Sequence, residues 1–215
     1  NRLALGTGSR VENIQLTPEL CRNWLGYVAP MMADSVQVNG KISARLERFL
    51  WNFNHPENSD AQAQLTIYQA QASPGSSLVS LLEVVDLLRK KNEGSTSYAE
   101  RSLNLPEQTI PIQVKQGYVT HDGLTMELSG YRLRTSGAVG LNEQVQIVLE
   151  VPLEKSSAAG AGRSVKVPLR GSISSPQIDT GNLLQNLGTQ KLQEQIGDKV
   201  DQSLNKQLNK LFDKF

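Results

Sequence analysis

Cysteine is nearly absent from this chain of 215 residues: Cys21 stands alone, so no disulfide forms within it. Its neighbours Leu20, Trp24 and Leu25 mark it as a small buried hydrophobe rather than a nucleophile. Histidine is scarce too, with His55 and His121 both in turn-like segments. No C-x-x-C, H-x-x-x-H or acidic calcium loop occurs, which removes the usual footing for a bound metal. Aromatic residues make up 5% of the chain, and Lys plus Arg exceed Asp plus Glu by 22 to 21. Neither the charge nor the stacking groups of a nucleic-acid surface are present. Arg45, Arg48, Arg132 and Arg134 are interleaved with acidic and polar residues and read as a solvated sheet face. No apolar run approaches the ~18 residues that cross a bilayer as a helix.

Catalytic motifs are missing as well. No G-x-S-x-G elbow occurs, and the glycine-rich stretches Gly6-Thr7-Gly8-Ser9 and Gly160-Ala161-Gly162-Arg163 lack the Lys-Ser/Thr that opens a phosphate-binding helix. His121 beside Asp122 reads as turn chemistry, because Gly123 follows. These observations point to a non-enzymatic protein without a cofactor.

What is present is amphipathic periodicity. The composition, 38% hydrophobic and 20% charged, is that of a folded chain. Asn1 stands in place of an initiator Met, and no signal-like segment follows, so a longer parent protein with its N-terminus upstream is expected. Thr17-Pro18-Glu19 opens a helix near 17–34, with Pro30 able to divide it. Val38, Ile42, Ala44 and Leu46 alternate as a strand, and the shift of phase to Phe49 and Trp51 signals a bulge or a new strand. Ala61 to Ile67 alternates again. Leu78 to Leu88 fits a mostly apolar helix near 77–91 that needs cover on several sides.

From 108 to 174 the alternation is most regular: Ile110 to Tyr118, a turn at His121-Asp122-Gly123, Leu124 to Leu128, Val145 to Leu153, and Val165 to Ile173. Pro176 ends the sheet. Leu192, Ile196, Val200, Leu204, Leu208 and Leu211 mark a C-terminal amphipathic helix. The expected fold is α+β: an antiparallel meander of about seven to nine strands with two covering helices. A β-rich domain spans 1–180, followed by an amphipathic helical segment over 181–215.

Residues 116–178 resemble the C-terminal region of the AsmA-like family, which includes TamB-type proteins. The resemblance rests on Gly117-Tyr118-Val119, on Asp122 to Leu128, and on Ser136-Gly137-Ala138-Val139-Gly140-Leu141. It continues through Val145 to Leu153 and Val167-Pro168-Leu169-Arg170-Gly171 to Ile178. Leu16-Thr17-Pro18-Glu19-Leu20-Cys21, Trp24-Leu25 and Val28-Ala29-Pro30 look like a segment of large planctomycete AsmA-like envelope proteins. The resemblance implies a periplasmic, cell-envelope domain whose parent is anchored in the inner membrane. The implied work is intermembrane phospholipid transfer or outer-membrane biogenesis.

Acyl chains would then lie along apolar strand faces, and the upstream part of the same protein would be a partner. Candidate lipid-contacting residues are Ile112, Val114, Met126, Leu128, Ile147, Leu149 and Val167. The competing reading is a structural or protein-interaction module whose helices seal the same face.

Overall fold

Alternation of apolar and polar side chains produces almost the whole architecture. The computed structural model describes residues 1–35, 37–73, 79, 102–128, 131–152 and 164–179, and these residues form one antiparallel sheet of eleven strands. Strands β1 (Arg2–Leu5) and β2 (Arg10–Gln15) lie end to end along one edge of β3 (Val38–Asn52). The other edge of β3 pairs with β4 (Asp60–Ala72). β4 in turn receives β5 (Leu103–Leu105) and β6 (Gln108–Lys115), again end to end. A meander completes the sheet: β7 (Tyr118–Leu128), β8 (Tyr131–Gly140), β9 (Val145–Pro152), β10 (Ser164–Ser172) and β11 (Ser175–Ile178).

The α+β expectation is overturned. Of the described residues 67% are strand and 12% helical, with a single α-helix and isolated 3-10 turns. The helix that apolar spacing predicts over 17–34 is a six-residue helix, α1 (Pro18–Asn23), followed by 3-10 turns at Leu25–Tyr27 and Pro30–Met32. Its start matches the sequence signal, since the Leu20 amide donates to the Thr17 hydroxyl at 3.1 Å and Pro18 occupies the first turn. Its early end has a local cause. Trp24 leaves helical geometry at φ −131°, and Ala29, preceding Pro30, sits at φ −131°, ψ 74°, outside the α region that a following proline disfavours. The segments 77–91 and 181–215, where a second covering helix and an amphipathic helix are expected, lie outside the described residues except Val79.

Two turn signals act differently from expectation. The hairpin between β6 and β7 turns at Gln116 and Gly117, with φ values of 53° and 78°, as a two-residue turn of the primed type requires. The Asp122-Gly123 pair instead lies inside β7, where the register against β8 shifts between Asp122 and Leu124 and Gly123 has φ 81°. The left-handed freedom of glycine serves a bulge there, not a hairpin. Pro176 does not end the sheet; it sits in β11 at the edge, where a missing N–H costs no ladder bond.

One face of the sheet carries the core. Leu16, Cys21, Leu25, Val28, Met31 and Met32 of the short helical segment are buried with Leu65, Leu103, Leu124, Met126, Leu133, Ile147 and Leu149 of the strands. The Leu25–Tyr27 turn packs against β8, and Gly26 lies so close to the Ile173 side chain that a Cβ there would meet it at 2.7 Å. Burial pushes the Cys21 thiol up to about 11, leaving it protonated and inert.

A gap in pairing between β5 and β6 is closed by a side chain. The Gln108 amide accepts from the Thr125 N–H at 2.8 Å and donates to the Thr125 carbonyl at 2.6 Å, standing in for ladder bonds to β7. Replacing Gln108 with Ala leaves both backbone groups of Thr125 without these partners. We expect a loss of about 1–3 kcal/mol in urea unfolding. Faster amide hydrogen exchange at Thr125 would accompany it; unchanged exchange there would contradict the assignment.

Candidate functional site

The cross-strand register places the apolar side chains in rows across the core-bearing face. One row runs Leu5, Phe49, Ala61, Val114, Val119, Val139 and Val145. A second runs Leu46, Ala63, Ile112, His121, Gly137, Ile147 and Leu169. Leu3 pairs with Trp51 beside the first row, and the Phe49 and Trp51 rings stack with centroids 6.3 Å apart. The slip from Leu46 to Arg48 keeps both halves of β3 apolar on this one face.

Cover over this face is uneven. Its β7–β10 part is closed: Met126, Leu128, Ile147, Leu149 and Val167 are each no more than 1% exposed. Among the described residues, the part nearest β1 and β2 is left open. Leu3 and Leu5 are 42% and 41% exposed, Val11 is 53% exposed, and Leu46, Phe49, Trp51, Ala63, Ile112 and Val114 are half-buried. Small residues on β4, Ala61 and Ala63, lie between the larger side chains of β3 and β6, so the open stretch has a low floor between two apolar walls. With strands ≈ 4.8 Å apart, the distance from β1 across β3, β4 and β6 to β7 is about 19 Å.

The seven candidate residues therefore fall in two places. Ile112 and Val114 flank the open floor, whereas Met126, Leu128, Ile147, Leu149 and Val167 lie in the closed core. Leu3, Leu5, Phe49 and Trp51 complete the open stretch. Their alternation is visible in the sequence, but the sequence does not show that β1 and β2 join that end of the sheet.

The opposite face of β3, β4, β6 and β7 is polar. A cleft of about 460 Å³ there is bordered by Glu47, Gln62, Gln64, Pro111, Gln113, Thr120 and Asp122, with Ala63, Ile112 and His121 beneath it. By strand alternation those last three point their side chains the other way. Gln64 donates to Glu47 at 3.1 Å, Arg48 pairs with Asp60 at 2.9 Å, and Arg132 reaches Glu127 through two nitrogens at 3.1 and 2.8 Å. Arg134 lies 3.5 Å from Asp122. These arginines are half-exposed, solvated and neutralised on the spot. Among the described residues no group of three or more His, Cys, Asp or Glu could hold a metal ion, and no helix is long and apolar enough to cross a membrane.

His121 and Thr135 bring polar groups into the apolar interior. His121 is 5% exposed, its Nε2 lies 3.0 Å from the Thr135 hydroxyl, and its Nδ1 is buried without a hydrogen-bond partner. Burial lowers its pKa to about 4 despite the opposing pull of Asp122 and the Thr135 hydrogen bond. The residue is thus neutral in the folded chain and resists protonation. Above pH 6.5 it is neutral whether folded or unfolded and contributes no pH dependence. As pH falls from 6.5 towards 4 the unfolded chain takes up a proton that the folded chain refuses, and stability falls. Over this window the wild type should lose about 3 kcal/mol more than His121→Phe does in parallel urea titrations. Parallel pH profiles for the two proteins would show that His121 is not held neutral.

No family model, no curated protein and no solved structure matches the chain.

Proposed function

We propose that this chain is a non-enzymatic lipid-handling domain in which acyl chains lie on the open apolar stretch between the β1/β2 edge and β6. The observation that carries the reading is the coexistence, on one face, of a sealed core and an unsealed continuation of it. Leu3 and Leu5 are exposed in register with half-buried Trp51 and Phe49. Half-buried Ala63, Ile112 and Val114 continue the same face, and exposed Val11 lies on it opposite Ala44. Each buried CH₂ contributes about 0.8 kcal/mol, so a chain reaching from β1 to β6 has enough contact to be held. Head groups would stay in water.

Set beside the AsmA-like resemblance, this surface suits a periplasmic domain of a larger envelope protein engaged in phospholipid transfer or outer-membrane biogenesis. The upstream part of that protein would continue the lipid path. A sealed structural or protein-interaction module is the competing reading, favoured by the five candidate residues that are closed off in the core.

Native mass spectrometry with lipid extraction separates the two. Protein purified from a bacterial lysate should carry phospholipid, and both Ile112→Glu and Trp51→Glu should lose it while remaining folded. Met126→Ala, in the closed core, should cost about 2–5 kcal/mol of stability without altering lipid content. A folded, lipid-free wild type would favour the sealed module.

A further inference from the structure

The open stretch ends against a polar group that the core leaves unsatisfied. His121 stands directly opposite Ile112 across the β6–β7 ladder, so it is the next residue inward from the apolar wall. Its other cross-strand neighbour is Gly137 of β8, which places no side chain over the ring. Thr135 engages Nε2, while Nδ1 is buried without a partner. A buried nitrogen without a hydrogen bond is destabilising, and its cross-strand neighbours Ile112 and Gly137 have no polar side chain to offer it.

We infer that His121, supported by Thr135, is a receptor for a hydroxyl group carried on the lipid chain that occupies the open stretch. The chemistry selects a hydroxyl. A neutral imidazole has one donor nitrogen and one acceptor nitrogen. If the Thr135 hydroxyl donates to Nε2, then Nδ1 carries the hydrogen and needs an acceptor. If Nε2 donates to Thr135, then Nδ1 needs a donor. A hydroxyl serves in either case, whereas an ester or ketone oxygen serves in one. An anionic carboxylate would have to be stripped of water in an apolar surrounding that also disfavours a charged imidazole partner. The ligand class is therefore a long-chain alcohol or hydroxylated acyl chain, its hydrocarbon on Ala63, Ile112 and Val114 and its hydroxyl at Nδ1.

The inference rests on the lipid-handling reading, and the test keeps the two apart. Dodecanol and tridecane, matched in length, would each compete for the full chain against a fluorescent acyl probe. Wild type should prefer dodecanol by about five- to tenfold, the worth of one buried hydrogen bond. His121→Phe should bind both equally, with its affinity for tridecane retained. Equal affinity of wild type for the two would overturn the hydroxyl receptor and leave the apolar stretch standing as a lipid surface. If neither competes and the fluorescent probe itself does not bind, the lipid reading fails and takes this inference with it. If His121→Phe does not fold, the ¹⁵N resonance of Nδ1 in the wild type decides: a shift on adding dodecanol but not tridecane supports the contact. An unmoved resonance contradicts it.

Discussion

Side-chain alternation in an antiparallel sheet commits each strand's apolar residues to one face, and that face must be covered or remain open. Here the rows run from Leu5 and Leu46 at one end to Val145 and Leu169 at the other without a change of face. Bulges between Leu46 and Arg48 and between Asp122 and Leu124 preserve that continuity where the local phase would have broken it. The segment from Leu16 to Ala33 then packs onto this face, with Cys21, Leu25, Met31 and Met32 fully buried. The β7–β10 part becomes a core, and the part beside β1 and β2 continues as open apolar surface.

This arrangement separates two kinds of work on the same strands. Residues such as Met126 and Leu149 hold the domain together, and substituting them tests stability. Ile112, Val114, Phe49 and Trp51 are only half-buried, on strands whose other inward residues belong to the core. The polar face, with its ion pairs and amides, keeps the sheet solvated. His121 sits at the border between the closed and open regions, which is where an unsatisfied polar atom has the most chemical meaning.

Much of the sheet was legible from periodicity alone. Val145 to Val151 alternates as read, and the phase shift before Phe49 is a bulge in the ladder with β4. The helical reading of 17–34 failed because three-to-four spacing records only which residues are buried. It does not register that Trp24 and the pre-proline Ala29 break the backbone path. Reading Ile110 to Tyr118 as one strand hides the Gln116-Gly117 turn, whereas Leu124, Met126 and Leu128 already carry the phase that β7 shows. Tyr118 continues the alternation of Ile110, Ile112 and Val114 in the sequence but opens β7 as an exposed residue, and Val119 and His121 are the buried ones. His121 reads as turn chemistry because Asp122-Gly123 follows it, and that pair serves a bulge inside β7 instead. The location of the open stretch was illegible for a different reason: it depends on β1 and β2 meeting β3, a contact between residues some 40 positions apart in sequence.

The most direct test of the open face is paramagnetic relaxation from phospholipid vesicles bearing a nitroxide within the acyl chain. The account predicts strong broadening of the methyl signals of Leu3, Leu5, Ala63, Ile112 and Val114, while Met126 and Leu149 stay sharp. Uniformly sharp signals, or broadening confined to residues on the polar face, would contradict it.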